Sequence, residues 1–165
     1  MKIMLMGHGG HAKDTVAEIL KERLGLTFCS SSLFMAKSFI YDALKDVIGY
    51  SSFEECYEDR RNHRATWHDL VCSYNAKDPS RLSREIFKEH DIYVGIRSNL
   101  EFEEAKREGL FDLAIWLDAS LRLQKEGSDS FDIDKSQADF VIYNNGTEEE
   151  LRERIDKLIN LFSLN

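Results

Sequence analysis

The sequence predicts an α/β fold of three layers, a five-stranded, mainly parallel sheet lying between helices. Short apolar stretches, partly β-branched or aromatic, alternate with helical patterns along the chain. Those stretches are apolar throughout rather than at every second position, as parallel strands covered on both faces are. A glycine-rich turn joins the first strand to the first helix.

The first strand is read at 2–6, where Ile3-Met4-Leu5-Met6 is unbroken, and the first helix at 14–24, where Val16, Ala17, Ile19 and Leu20 recur at helical spacing. A second strand follows at 26–29. Helical patterns at 33–48, 53–75 and 80–89 form the largest block, 33–89, inserted between strands two and three; Asp78-Pro79-Ser80 reads as a break and restart within it. The third strand, 92–96, leads to a helix at 99–108, the fourth, 113–117, to one at 120–125, and the fifth, 140–143, to a last helix at 148–162. Thr147 and Glu150 have the spacing of a capping box for that last helix. Residues 125–137 are the most loop-like stretch. At 165 residues, 42% of them hydrophobic, the chain suffices for one domain, 1–165, with its own core.

Residues Gly7-His8-Gly9-Gly10-His11-Ala12-Lys13-Asp14-Thr15 lie between that strand and that helix, the layout of a phosphate-binding loop. Backbone N–H groups in such a turn and the positive end of the helix form an anion cradle, and Lys13 at its rim reaches the outer phosphates. The expected ligand is a nucleoside triphosphate. Against the pattern G-x-x-x-x-G-K-[S/T], the spacing from Gly7 to Lys13 matches, Ala12 replaces the second glycine, and Asp14 takes the place of the hydroxyl. If that glycine position needs positive φ, alanine costs about 1–2 kcal/mol there. Asp14 holds magnesium through water, faces away, or weakens the site, and Thr15 offers a hydroxyl one residue on. The same residues also suit a plain glycine turn before a helix, with Asp14 favourable at its positive end.

A net charge of −8 argues against a surface that tracks a nucleic-acid backbone, so no nucleic-acid partner is expected. A small anion in a cleft with local positive charge remains allowed. Cys29, Cys56 and Cys72 lack C-x-x-C spacing and read as reduced, mostly buried thiols. The five histidines form no H-x-x-x-H or H-E-x-x-H pattern, so a transition-metal site is not expected. With no apolar run long enough to span a bilayer and nothing resembling a targeting peptide, the expectation is a cytoplasmic protein without a membrane partner.

In open parallel sheets, ligands sit at the carboxyl ends of the strands. That rule selects Ser30, Ser31 and Ser32, then Arg97 and Ser98, Asp118, and Asn144 with Asn145. Arg97 either grips a phosphate with its bidentate fork or pairs with a carboxylate at a solvated strand end. The serines bind ligand or cap the next helix. Arg60, Arg61, Arg64, Trp67 and His68 form a second cluster; read as one helix, Arg60, Arg64, Trp67 and His68 share a face near Tyr57. That face either holds a phosphate and stacks a base, or is solvated with its arginines paired to Glu54, Glu55, Glu58 and Asp59. Arg81, Arg84 and Arg122 are further candidates for closing over a transferred phosphate.

The loop, its Lys13-Asp14-Thr15 ending in particular, resembles that of bacteriophage deoxynucleoside monophosphate kinases, a branch of the P-loop nucleoside and nucleotide kinases. Tyr93 to Asn99, with Glu101 and Glu104, is similar to that family's strand-plus-arginine segment and Glu-rich helix, and Ala138 to Thr147 to its last strand and the turn near the nucleotide base. The resemblance implies a P-loop kinase fold and ATP-dependent phosphoryl transfer to a (deoxy)nucleoside monophosphate, with Mg²⁺. It implies that Gly7, His8, Gly9, Gly10, His11 and Ala12 cradle the donor phosphates, Lys13 contacts the outer ones, Thr15 and Asp14 meet magnesium through water, and Asn145 lies near the donor base. Arg97 holds the acceptor phosphate. Residues 33–89 become the acceptor-binding region, with Ser32, Arg60, Arg64 and Trp67 as contacts, and 120–137 a lid-like segment from which Arg122 approaches the transferring group. Gly95 stands where relatives carry an acidic residue, leaving Asp14 or Asp118 to serve magnesium instead. The chain is then a monomer or homodimer, in the host cytoplasm if phage-encoded. Two alternatives stay open: a nucleotide-binding regulatory protein with little catalysis, and a kinase for a modified base or another small phosphate-bearing metabolite.

Overall fold

Successive side chains of a strand point to opposite faces, and the apolar run at the start of the chain uses both. In the computed structural model, which describes residues 1–124 and 131–163, Ile3 and Leu5 of β1 (Ile3–Met6) enter one core while Met4 and Met6 enter another. The later strands are β2 (Phe28–Ser30), β3 (Ile92–Val94), β4 (Leu113–Asp118) and β5 (Phe140–Tyr143). β4 alternates likewise, with Ala114 and Trp116 on one side and Leu113, Ile115 and Leu117 on the other. The order is β2-β3-β1-β4-β5 and every pairing is parallel, with Ile3 opposite Ile92 on one side and Leu113 on the other. The sheet is thus wholly rather than mainly parallel, and β1 is central.

The helices follow as α1 (Lys13–Leu24), α2 (Ser31–Met35), α3 (Tyr41–Ile48), α4 (Phe53–Asp59), α5 (Arg64–Asn75), α6 (Arg81–Glu89), α7 (Asn99–Arg107) and α8 (Glu148–Ser163). α1 and α8 cover the face of Ile3 and Leu5 through Val16, Ile19, Leu20, Leu151, Ile155 and Leu158. The other face carries the helices from α2 to α7, with Met35, Ile40, Trp67, Leu82, Ile86 and Phe102 in its core. Each fully buried aliphatic or aromatic side chain contributes about 1.5–3 kcal/mol, so these two cores hold the layers together.

Several boundaries differ from the sequence reading. The pattern at 53–75 is two helices, not one. Asp59 accepts from Tyr50 Oη (2.7 Å) and Asn62 Nδ2 (2.6 Å) and pairs with His63 (3.0 Å), and this local bonding competes with a continuing helix. The pattern at 33–48 starts earlier, with the Ser30 hydroxyl capping α2 at Leu33 N (3.2 Å), and carries one π turn, Ala36–Ile40, between α2 and α3. No helix forms at 120–124, where Arg122 and Leu123 N–H both close turns onto the Ala119 carbonyl; residue 125 lies outside the described residues. Thr147 Oγ1 does cap α8, accepting from Glu150 N at 3.2 Å. All three cysteines are free; Cys29 and Cys56 are buried and Cys72 is exposed. Among the described residues no helix is long and apolar enough to cross a membrane.

One acid is deep inside the helical layer. Glu101 of α7 is 4% exposed and accepts from Ser83 Oγ (2.7 Å), Tyr93 Oη (3.1 Å) and Asn75 Nδ2 (3.1 Å). Burial pushes its carboxyl up to about 7, against the pull of those donors. The folded chain therefore binds this proton more tightly than the unfolded chain, so stability should fall as pH rises from about 4.5 to about 7, by about 3 kcal/mol in all. Asp78, held low by Arg84, and Asp91, held low by the Thr27 N–H, act with the opposite sign at more acid pH. Denaturant titrations across this window should show the decline in the wild type and its loss in Glu101→Gln; an equal decline in both would count against it.

Candidate active site

The loop between β1 and α1 is built from left-handed residues. Gly7, Gly10 and Ala12 have φ of 131°, 77° and 74°, and Ala12 is the one non-glycine residue at positive φ among the described residues. A Cβ on Gly7 would lie 2.5 Å from the Leu117 carbonyl oxygen, so only glycine lets the chain leave β1 against the backbone of β4. α1 starts at Lys13 with no side chain capping it, and its first helical bond runs from Val16 N to Ala12 O at 3.0 Å. The N–H groups of that first turn have no carbonyl one turn back to donate to. Lys13 arches over the loop, its Nζ donating to the Gly7 and His8 carbonyls at 2.7 Å each. Asp14 is exposed and Thr15 half-buried.

His11 anchors this loop from within. It is 1% exposed, and its Nδ1 lies 3.1 Å from the Ala119 N–H and 3.3 Å from the Leu117 oxygen. Because the amide can only donate, Nδ1 accepts and the ring proton sits on Nε2, which is buried without a partner. Asn144, 3% exposed, donates from its backbone to Asp118 O (2.7 Å) and from Nδ2 to His11 O (3.4 Å), while its own carbonyl accepts Arg122 Nε (2.7 Å). Asn145 Oδ1 accepts Leu121 N at 3.1 Å. These bonds tie the ends of β4 and β5 to the loop. Beside them opens a cleft of about 260 Å³ lined by Ala12, Thr15, Arg122, Asn144, Gly146 and Glu148. Asp118 is 4% exposed; burial alone would raise its carboxyl, but hydrogen bonds from Ser120 (2.9 Å) and Lys135 (3.3 Å) hold it below the ordinary range.

On the other side of the loop, β2 and β3 end together. Ser31 Oγ donates to Gly95 O at 3.1 Å, and a Cβ on Gly95 would meet Ser31 Oγ at 3.5 Å and Lys13 Cε at 3.8 Å. Arg97 is exposed, its guanidinium 6.0 Å from the centre of the Phe131 ring. Phe131 in turn lies 4.7 Å from the His8 ring, which also meets Trp116 edge-on at 5.5 Å. The glycine-rich loop therefore lies between an arginine-bearing side and the cleft of Arg122.

No family model matches the chain, and no curated protein does. Solved structures match nearly its whole length. A shikimate kinase from Aquifex aeolicus superposes with a TM-score of 0.55 at 15% identity, covering 99% of each chain. A shikimate kinase from Acinetobacter baumannii, in complex with shikimate, gives 0.54 at 16% identity over 99% of this chain and 93% of that one. The Mycobacterium tuberculosis APS kinase in complex with AMPPNP and APS gives 0.50 at 14% identity over 98% and 97%. This is the P-loop kinase fold.

Within that fold, Lys13, Thr15, Arg97, Arg122 and Asn145 all come to the carboxyl end of the sheet. The helical candidates do not converge. Arg60 sits in the turn after α4, donating to Tyr57 O at 2.6 Å with its guanidinium 3.9 Å from the Tyr57 ring centre, so the shared face expected for Arg60, Arg64, Trp67 and His68 does not form. Trp67 is 7% exposed, inside the helix-side core, and Arg64 is exposed at the start of α5. Ser32 is half-buried, 3.4 Å from the Ser30 hydroxyl. Arg81 lies over Tyr74 and pairs with Glu85 (3.2 Å), and Arg84 pairs with Asp78 (2.7 Å) and Glu108 (2.8 Å). Reading the sequence did not single out Glu148 in the cleft, Lys135 on Asp118, or the bonds around Glu101. Glu101 did leave a signal, since it stands four residues before buried Ala105 on the core-facing side of its helix.

Ala12→Gly should remove the left-handed strain, about 1–2 kcal/mol, less the entropy glycine adds to the unfolded chain, a net gain of about 0.5–1 kcal/mol. Gly7→Ala should cost about 3 kcal/mol or more, because the atom it strikes is backbone. Thermal melts of both decide; a destabilised Ala12→Gly contradicts the loop geometry.

Proposed function

We propose that this protein transfers the γ-phosphoryl group of ATP to a nucleoside monophosphate, forming the diphosphate, as one domain with an acceptor-binding region at 33–89 and a lid-like segment at 120–137. Residues 125–130 of that segment lie outside the described residues. The observation that carries the reading is the left-handed loop with Lys13 across it, flanked by Arg97 on one side and the Arg122 cleft on the other. In this reading the loop N–H groups and Lys13 hold the outer phosphates, and the cleft takes the donor base beside Asn145. Arg97 grips the acceptor phosphate. Of the helical candidates, the reading keeps Ser32 and Arg64 as acceptor contacts, while Arg60 packs on Tyr57 and Trp67 lies in the core.

The residues fit a triphosphate with magnesium. Lys13 and Arg122 supply positive charge, Thr15 places a hydroxyl at the start of α1, and Asp118 is a buried carboxylate held ionised at the end of β4. Exposed Asp14 would reach the ion only through water. Magnesium, when bound, neutralises charge developing between the phosphates. The protein's own contribution is positioning and fixed charge.

Matches to enzymes whose acceptors are shikimate and APS favour another small metabolite as the second reading. Incubation with ATP, Mg²⁺ and a panel of ribo- and deoxynucleoside monophosphates, shikimate and APS separates the two. Acceptor-dependent ADP with one monophosphate supports the first reading, and ADP only with another metabolite supports the second. ADP without any acceptor, or none at all, contradicts both.

Two substitutions follow. Lys13→Ala should lower turnover by about 10²-fold or more with the fold intact by circular dichroism. Arg97→Ala should raise the acceptor KM by roughly 10- to 100-fold, the loss of one charge-assisted bond. An unchanged acceptor KM removes Arg97 from that role.

A further inference from the structure

The phosphoryl-transfer reading uses the backbone of His11 and leaves its ring unexplained. Gly9 and Gly10 are exposed, and Gly10 and Ala12 on either side of His11 are left-handed, so His11 is the side chain of this stretch that turns inside. Its Nδ1 accepts the N–H of Ala119, the first residue past β4 and 0% exposed. Four hydrogen bonds then close a circuit. Ala119 N donates to His11 Nδ1 at 3.1 Å, Arg122 N to Ala119 O at 3.1 Å, Arg122 Nε to Asn144 O at 2.7 Å, and Asn144 Nδ2 to His11 O at 3.4 Å. The circuit runs from the loop through the end of β4 to an exposed arginine, and returns past the end of β5. The choice of residue matters here. With Nδ1 accepting, the ring proton is on Nε2, buried without a partner, which costs stability. An aliphatic side chain of similar bulk would avoid that cost but leave the buried Ala119 amide with no acceptor. What the ring contributes is therefore its Nδ1 lone pair rather than its volume.

We propose that His11 is a positioning residue for Arg122, its Nδ1 lone pair holding, through Ala119, the turn after β4 so that the guanidinium stands beside the loop. A long exposed side chain ordinarily samples many rotamers. Arg122 is fixed twice, by its backbone N–H on Ala119 and by its Nε on Asn144, and both of those residues are bonded to His11. The cleft it lines is shared with Ala12 and Thr15 of the loop and the first turn of α1. For what Arg122 does there, meeting charge on the transferring group, the proposal rests on the phosphoryl-transfer reading; the circuit itself rests on the hydrogen bonds.

Without an acceptor at Nδ1, the Ala119 amide must turn toward water. The Arg122 and Leu123 N–H groups that close onto the Ala119 carbonyl move with it, and Arg122 keeps only its bond to Asn144. Lys13 lies outside the circuit, donating to the Gly7 and His8 carbonyls. Loss of the acceptor should therefore strike the step that Arg122 serves and spare nucleotide binding by Lys13 and the loop N–H groups.

Two variants separate the lone pair from the volume. His11→Asn keeps an oxygen acceptor near the place of Nδ1, and His11→Leu keeps the bulk without one; if the leucine variant does not fold, His11→Gln, whose carbonyl falls near the Nε2 position instead, takes its place. NMR of the ¹⁵N-labelled protein without nucleotide should show a coupling across the hydrogen bond between Ala119 N and His11 Nδ1, with the ring proton on Nε2. A proton on Nδ1 overturns the proposal. The Arg122 Nε–H should exchange slowly in the wild type and in His11→Asn, and about tenfold faster or more in His11→Leu. Equal exchange in all three also overturns it. Kinetics with ATP, Mg²⁺ and the acceptor that the panel selects follow. In His11→Leu, kcat should fall about 10- to 100-fold with the KM for ATP changed by less than about threefold, and in His11→Asn kcat should stay within about threefold of the wild type. In an Arg122→Ala background, His11→Leu should cost no further activity, and losses that multiply contradict the positioning role. An Arg122 Nε–H that depends on the His11 acceptor, in a protein that forms no ADP with any acceptor of the panel, leaves the positioning standing and removes the phosphoryl-transfer reading.

Discussion

Gly7 has no room for a side chain, and the strand it would strike cannot move aside. β4 is paired on both edges, with β1 and with β5, so the Leu117 carbonyl 2.5 Å from where a Cβ would sit is fixed by two ladders. This approach sets the direction in which the chain leaves β1 and hence the path of the loop up to Lys13. His11 then plugs the loop into the end of β4 through the Ala119 N–H, and Asn144 draws in the end of β5. The loop is shaped by close backbone packing, which would lower the ordering cost of binding an anion there.

The parallel order explains why so much chemistry collects at one end. With β1 central and β3 and β4 beside it, the residues that follow each strand come to the same edge of the sheet, where loops rather than helices or strands meet solvent. Lys13, Arg97 and Arg122 bring positive charge to that edge of a chain whose net charge is −8. A local cluster of this kind dominates the field in a crevice even when the whole molecule has the opposite sign. Lys13 rests on two loop carbonyls, so its ammonium is held where an anion would meet it.

Much of the fold was legible because its strands are short and apolar and its outer helices follow a 3.6-residue period. The five strands and the helices at α1, α6, α7 and α8 fall close to where periodicity puts them. The helical block was read less well because its boundaries depend on side chains. Asp59 gathers Tyr50, Asn62 and His63 and ends a helix that hydrophobic spacing alone would continue. The grouping of Arg60 with Trp67 failed for the same reason, since it assumed one unbroken helix. In the loop, the spacing from Gly7 to Lys13 and the oddity of Ala12 were visible in the letters, and the strain at Ala12 is what that substitution implies. The polar cluster around Glu101 was not, because its members are scattered over residues 75 to 101 and only the packing of α5, α6 and α7 on β3 brings them together.

A crystal structure of the protein with AMPPNP and Mg²⁺ tests the central claim most directly. The β- and γ-phosphates should lie inside the turn from Gly7 to Lys13, with Lys13 Nζ moved off the Gly7 and His8 carbonyls onto phosphate oxygens. Phosphates bound elsewhere, or a turn still closed by Lys13 with no nucleotide in it at saturating ligand, would contradict it.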